Sequence, residues 1–135
     1  MSWLLDVNTL LANRWSSHTE HAGVSKWLDG LTTFYTTPIV ELGFMRVSLS
    51  PCYKVSREDA HRSLTSLLSR KTHRFLPDDI SVIDSPKSNS RDTTDAHLVC
   101  LAERHGLKLA TLDGELIEKS WAHRVAINPV APPRT

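Results

Sequence analysis

The chain has 135 residues, of which 40% are hydrophobic and 23% charged, and this is typical of one globular domain with a single core. A formal net charge of +1 argues against a protein that binds nucleic acid through bulk positive charge. Two scattered cysteines, no secretory leader and no apolar run near the roughly 20 residues that cross a bilayer argue against an exported or membrane protein, and predict a reduced, cytoplasmic setting.

The charges are distributed unevenly along the chain. Between Arg46 and Arg91, nine lysines and arginines stand against five acids, a net of +4; from Asp92 to Glu118, two basic residues stand against six acids, a net of −4. Solvated helix faces of accidental sign would explain this asymmetry, and so would an acidic site beside a basic surface. The second explanation suits a substrate that carries phosphate and is bound together with a cation.

In chain order, the first half predicts two strands and four helices. The strands are residues 3–7 and 34–37. The helices are residues 9–15, 19–28, 38–47 and 56–71, the third opened by a proline and the last capped by Ser56. The segment 48–54 between the last two helices matches no regular pattern.

The second half predicts three more strands, at residues 80–83, 107–112 and 124–128. A turn-rich loop covers 84–90, a helix opens near Asp92 and stops at Gly106, and a short helix covers 115–121. Strands that alternate with helices predict a mostly parallel sheet between two helical layers, an α/β fold of the three-layer α/β/α type. We expect one domain over residues 1–128 and a loose tail over 129–135.

Four carboxylates fall where a parallel sheet places its ligands, outside the carboxyl ends of the strands. Asp6 and Asp113 each follow a predicted strand, Glu41 interrupts an apolar helix, and Asp95 lies in the first turn of a helix; a cluster of such groups would repel itself unless hard divalent cations such as Mg²⁺ or Mn²⁺ occupied its centre. Taken singly, Asp95 also fits a residue that favours the helix dipole, Asp113 a turn residue and Glu41 a solvated position. Asp6, in a buried strand, is the hardest to explain without a ligand.

The stretches LLDVNTLL, TTPIVELGFMR and TTDAHLVCLAERHGLKLATLDGEL, in this order, resemble the PIN-domain ribonucleases, in particular the VapC toxins of bacterial toxin–antitoxin pairs. The resemblance covers almost the entire chain. It implies a metal-dependent endoribonuclease that hydrolyses RNA phosphodiesters with a metal-activated water and is neutralised by a cognate VapB-type antitoxin. It also implies a homodimer.

The resemblance assigns roles residue by residue. Asp6, Glu41, Asp95 and Asp113 match the family's acids and would hold one or two Mg²⁺ or Mn²⁺ ions.

Several further residues have supporting roles in this interpretation. Asn8 and Thr111 match polar positions of the same pocket, and Asp92 is either a fifth acid or, the interpretation we favour, a helix cap. Residues that would contact RNA phosphates are Arg46, Lys54, Arg57 and Arg91.

Three alternatives remain open at this point. Asp6 followed by Asn8 and Leu10 is similar to the opening of haloacid-dehalogenase-type phosphatases, but Asn8 stands where that family has a general acid. A PIN-like binding module without activity is the second, although all four acids are present. A zinc site using Cys52, His97 and Cys100 is the third, and the histidines lack ligand spacing.

Overall fold

A short apolar strand, β1 (Trp3–Leu5), lies at the centre of a five-stranded sheet in the computed structural model of the protein, which describes residues 1–86 and 88–130. The other four strands are β2 (Phe34–Thr36), β3 (His73–Phe75), β4 (Lys108–Ala110) and β5 (Ala126–Ile127). All neighbouring pairs are parallel and the spatial order is β3-β2-β1-β4-β5. This confirms the parallel sheet expected from the sequence.

Six α-helices cover the sheet within the described residues. They are α1 (Val7–Arg14), α2 (His21–Asp29), α3 (Pro38–Ser48), α4 (Arg57–Leu68), α5 (Thr93–Arg104) and α6 (Gly114–Ile117). None of the helices in this part of the chain is both long and apolar enough to cross a bilayer.

Alternate side chains of β1 enter two separate core layers. Trp3 and Leu5 pack with residues of α1, α2, α3 and α4, whereas Leu4 packs mainly with residues of α5 and α6. Because successive side chains of a strand point to opposite faces, a strand buried on both sides has to be apolar throughout. The three-layer α/β/α arrangement is therefore confirmed.

The order of the strands places the carboxyl end of β1 at a reversal point. The chain runs from β1 outward through β2 to β3, and then returns to the other side of β1 to form β4 and β5. In sheets of this kind, the connections on the two sides diverge at the reversal and leave a crevice outside the strand ends. Asp6, directly after β1, stands at this crevice.

Two element predictions were wrong. The predicted strand over residues 80–83 is a loop with a 3₁₀ turn at Val82–Asp84, in which Ile80 is half-buried against the core and Ser81, Val82 and Ile83 are exposed; the third strand is instead β3. The β-branched residues favoured a strand through their intrinsic preference, but Val82 and Ile83 have no sheet partner and are 56% and 86% exposed. The helix predicted for residues 115–121 ends early, at Ile117.

The proposed tail falls mostly outside the described residues, which end at Val130. The Val130 side chain lies against α2, where its Cγ1 is 3.5 Å from the position that a Cβ on Gly23 would take. The domain boundary at residue 128 stays a prediction.

Candidate active site

Asp6 is buried at the crevice, with 5% of its surface exposed. Its backbone N–H continues the sheet by donating to the Ala110 carbonyl at 2.9 Å, and its Oδ1 accepts a hydrogen bond from the Val7 N–H at 2.8 Å. As the N-cap residue, Asp6 starts α1 two residues earlier than the sequence predicts. Burial raises the pKa of Asp6, and its hydrogen bonds act in the opposite direction.

The Thr111 hydroxyl connects Asp6 to the end of β4. It is fully buried, donates to Asp6 Oδ2 at 2.8 Å, and accepts from the Asn8 side-chain amide at 3.2 Å and from the Asp113 N–H at 3.1 Å. The Asn8 Oδ1 in turn accepts from the Leu112 N–H at 3.1 Å. Asn8 and Thr111 therefore connect the ends of β1 and β4 through their own hydrogen bonds, and a contact with a bound water or a phosphate stays a prediction.

Asp113 follows β4 and begins the short helix α6. Its Oδ1 accepts hydrogen bonds from the N–H groups of Glu115 and Leu116, at 3.0 and 3.2 Å. The turn role considered for Asp113 is thus present, in the form of a helix cap. Its charge also raises the pKa of Asp6, so the residue is structural and at the same time part of the acidic cluster.

Asp95 is the third helical residue of α5, and its pKa is raised well above the ordinary value. Partial burial, followed by the charges of Asp6, Asp113 and Asp92, raises its pKa to about 6. Within the described part of the chain, its carboxylate accepts no hydrogen bond from another protein group. Four acids from the ends of β1 and β4 and the start of α5 therefore share one negative field.

Asp92 belongs to this field and occupies the N-cap position of α5 without a capping hydrogen bond from its side chain. Its carboxylate pairs with Lys119 at 3.7 Å, while Asn89 caps the preceding 3₁₀ turn. The favoured prediction that the Asp92 side chain caps α5 is therefore met in position but not in hydrogen bonding, and its role as a fifth acid stays a prediction.

Glu41 lies on α3 and is directed toward β2. Its Oε2 accepts a hydrogen bond of 2.9 Å from the hydroxyl of Thr36, the last residue of β2. It is not among the charges that raise the pKa of Asp95. Glu41 therefore stands at the same edge of the sheet, one strand away from the cluster of Asp6, Asp92, Asp95 and Asp113.

The donor chemistry of this cluster fits a hard divalent cation. Carboxylate oxygens are the ligands that such ions prefer, and mutual repulsion among the acids is the energetic condition that a cation relieves. Among residues 1–86 and 88–130, no three His, Cys, Asp or Glu side chains already form a complete cage.

The basic residues predicted to contact RNA are dispersed. Arg46 and Lys54 are exposed, and Arg91 pairs with Glu115 at 3.4 Å. Arg57 has the most suggestive position, because it lines a groove between α3 and α4 together with Glu41 and His61.

Sequence reasoning missed three residues near Glu41. His61 lines the same groove, and Thr36 and His73 form a hydrogen-bonded chain with Glu41. The contact between His73 and Thr36 depends on the strand β3, whose polar sequence does not predict a strand. His61 could have been found from its spacing, because residues four apart on a helix, such as Arg57 and His61, lie on the same face.

Comparisons of sequence identify the family. Residues 3–122 match the family profile of the PIN domain. Ribonuclease VapC38 of Mycobacterium tuberculosis is 42% identical over 118 residues, which cover 82% of this chain and 84% of that protein. Ribonuclease VapC39 of the same species is 36% identical over 138 residues, covering 94% and 99%.

Solved structures share the fold at low sequence identity. A chain of the FitAB complex bound to an IR36 DNA fragment has a TM-score of 0.68 and 21% identity, over 98% of both chains. Mycobacterium tuberculosis VapC20, described as a sarcin–ricin loop cleaving toxin, has a TM-score of 0.63 and 13% identity, over 84% of this chain and 91% of that chain. The family profile and the sequence relatives show that the chain belongs to the PIN-domain family, and within it to the VapC ribonucleases.

Proposed function

We propose that this protein is the endoribonuclease toxin of a toxin–antitoxin pair, and that it hydrolyses RNA with Mg²⁺ or Mn²⁺ held by Asp6, Asp95 and Asp113. The observation that carries the proposal is the raised pKa of Asp95, whose causes include the charges of Asp6 and Asp113. Acids drawn from distant parts of the chain to one strand edge are costly to the fold, and a bound cation explains them.

The residues of the site have separable tasks. A divalent ion bound there supplies a Lewis acid and a water activated to attack phosphorus. Asp95, which accepts no protein hydrogen bond, is free to turn toward the ion, whereas Thr111 and Asn8 hold Asp6 and the backbone of Asp113 in fixed positions. Glu41 would contribute a further carboxylate from the neighbouring strand end, where its Oε2 accepts a hydrogen bond from Thr36.

The groove between α3 and α4 is the proposed path for RNA. Arg57 and His61 lie along it and Glu41 stands within it, so a phosphate placed between them would lie beside Glu41. This assigns Arg57 a phosphate contact, and leaves the dispersed residues Arg46, Lys54 and Arg91 as secondary contacts. Bulk charge contributes little, since the net charge is only +1.

Membership of the VapC group supports the remaining assignments. The partner we propose is a cognate antitoxin of the VapB type, and the working form is a cytoplasmic homodimer. Membership of the PIN family leaves the phosphatase alternative without support. In addition, the Asn8 side chain, which stands where a phosphatase would need its general acid, donates to Thr111 and accepts from the Leu112 N–H.

The deciding experiment is cleavage of total cellular RNA by purified protein free of antitoxin. The reactions contain Mg²⁺, Mn²⁺ or a chelator, and compare wild type with Asp6→Asn and Asp95→Asn. Glu103→Gln is the matched control, because Glu103 is an exposed acid on the same helix as Asp95. We expect discrete fragments that require metal, persist in the control and vanish in both site variants.

Two outcomes would contradict the proposal. Cleavage that persists in both site variants would place the chemistry elsewhere. Binding of RNA by folded wild-type protein without cleavage, even with Mn²⁺, would favour the binding-module alternative.

A further inference from the structure

Thr36 joins Glu41 to a histidine on the neighbouring strand. Its fully buried Oγ1 lies 2.9 Å from Glu41 Oε2 and 2.7 Å from His73 Nε2. The parallel register places His73 beside Phe34, so its ring packs against that of Phe34, with centroids 5.4 Å apart, and reaches diagonally to Thr36. A chain of three side chains thus runs from α3 across β2 to β3.

The number of protons in this chain restricts its state. The Thr36 hydroxyl has one proton, so when it donates to Glu41 the Nε2 of His73 has to be the donor to the Thr36 oxygen. Nε2 of His73 therefore carries a proton in this arrangement, and Glu41 is the acceptor at the other end of the chain.

The other neutral tautomer of His73 gives a different arrangement. With the proton on Nδ1, Nε2 becomes an acceptor and takes the Thr36 proton, so Glu41 Oε2 loses its hydrogen bond. Burial, which is the largest cause, and the charge of Arg74 lower the pKa of His73 and favour a neutral ring. The orientation of the Thr36 hydroxyl is consequently set by groups at both ends.

We propose that Thr36 and His73 are positioning residues for Glu41, with the Nε2–H group of His73 holding the Thr36 hydroxyl toward the carboxylate and fixing its direction at the edge of the site. Neither touches the acidic cluster of Asp6, Asp92, Asp95 and Asp113. The consequence for catalysis rests on the proposed function of Glu41, but the hydrogen-bonded chain itself does not.

The first test measures the chain without any ribonuclease assay. In the full-length protein, the protonation midpoint of His73 is followed by NMR of its ring in wild type, Thr36→Val, Glu41→Gln and the double variant. We expect each single variant to lower the midpoint by about 0.5 to 1 pH unit, within the lower range of shifts caused by a nearby opposite charge, and the double variant to add nothing further. An unchanged midpoint in Glu41→Gln, with Glu115→Gln as the control, would overturn the proposal.

The second test separates positioning from simple structural support. Thr36→Val keeps the shape of the side chain and removes its hydroxyl; we expect kcat to fall about 10- to 100-fold with KM nearly unchanged, the usual effect of losing an outer partner of a site. Thr36→Ser should restore kcat because it restores the hydroxyl. His73→Phe, which keeps the packing against Phe34, should reproduce the loss even if Thr36→Val folds poorly.

A rise in KM alone, or full activity in His73→Phe, would count against positioning. Failure of cleavage in every variant and in wild type would instead bear on the proposed function, while the NMR result would still stand.

Discussion

Asp6 and Asp95 illustrate two different ways in which a carboxylate persists in a folded protein. Asp6 is almost fully buried and keeps hydrogen bonds from Thr111 and the Val7 N–H, so its environment partly replaces water. Asp95 has no such hydrogen bond and faces three other acids. The charge of Asp6 is thus partly compensated by hydrogen bonds within the fold. The charge of Asp95 destabilises the folded state until a proton or a cation neutralises it.

The raised pKa of Asp95 predicts how stability depends on pH. Its folded-state pKa of about 6 lies above the ordinary 3.8, so between these values the folded protein binds this proton more tightly than the unfolded chain does. This contribution to stability is therefore present at low pH and lost as pH rises from about 4 to about 6. In metal-free protein, we expect Asp95→Asn to unfold at higher urea concentration than wild type at pH 7.5, and the difference to shrink toward pH 4.5. Urea midpoints at a series of pH values measure this; a difference independent of pH would contradict the assigned pKa.

The sequence was sufficient to predict these acids but not their partners. Asp6 and Asp113 follow recognisable strands and Asp95 follows a recognisable helix start, so their common edge follows from the alternation of elements. His73 could not be assigned to the site, because its contact with Thr36 depends on the register between β2 and β3. The position of Asp92 before α5 was predictable from the sequence. The direction of its side chain, which pairs with Lys119, was not.

At the scale of the elements, α1 and α3 approach each other closely at Gly43. A Cβ added there would lie 2.6 Å from Val7 Cγ2, a distance that forces a shift of a stiff β-branched side chain. We expect Gly43→Ala to destabilise the protein by about 1–3 kcal/mol, although alanine favours a helix by about 1 kcal/mol over glycine. Gly23→Ala in α2 is the matched control, because its Cβ would meet Val130 at an ordinary 3.5 Å, and it should be neutral or stabilising. Equal effects in urea unfolding would show that the two helices have room to separate.

The short helix α6 allows the two roles of Asp113 to be separated. Its Oδ1 caps the N–H groups of Glu115 and Leu116, and asparagine can make the same hydrogen bonds without the charge. We expect Asp113→Asn to keep stability and lose metal-dependent cleavage, and Asp113→Ala to lose cleavage and also about 0.5–2 kcal/mol of stability. Thermal unfolding beside the RNA assay measures both. Full cleavage in Asp113→Asn would leave Asp113 with the capping role alone.

The elements differ in how well local sequence determines them. The helix α5 was predictable because its start, its apolar stripe and the Gly106 stop agree, and Gly106 has the positive φ of 69° that such a stop requires. The strand β3 was not, because its burial pattern is intermediate and exposed and its stability comes from pairing with β2. The apolar run 80–83 shows the converse, in which strand preference without a partner leaves an exposed turn.

At the scale of the whole molecule, the reversal of strand order brings together acids that are far apart in the chain. Residues 6 and 113 come from the ends of β1 and β4, which are neighbours in the sheet, and residue 95 comes from the helix that precedes β4. The fold thus concentrates negative charge at one edge although the chain as a whole is nearly neutral. Stability should depend on how that edge is neutralised.

Divalent metal should therefore stabilise the protein, and more strongly at pH 7.5 than at pH 5. A ligand that binds only the folded state adds about 2.7 kcal/mol when its concentration is 100 times its Kd. Below pH 6, protons compete with the metal for Asp95, so the gain should shrink.

Differential scanning calorimetry with Mg²⁺, with Mn²⁺ and with chelator at both pH values measures this gain. Asp95→Asn should abolish most of it at pH 7.5, and the control Glu103→Gln should retain it. A bound cation that relieves repulsion among the acids can only stabilise the folded state. A melting temperature that is higher in chelator than in metal would therefore contradict the assignment of this repulsion to the cluster. A gain of equal size in Asp95→Asn would move the ion away from this edge of the sheet.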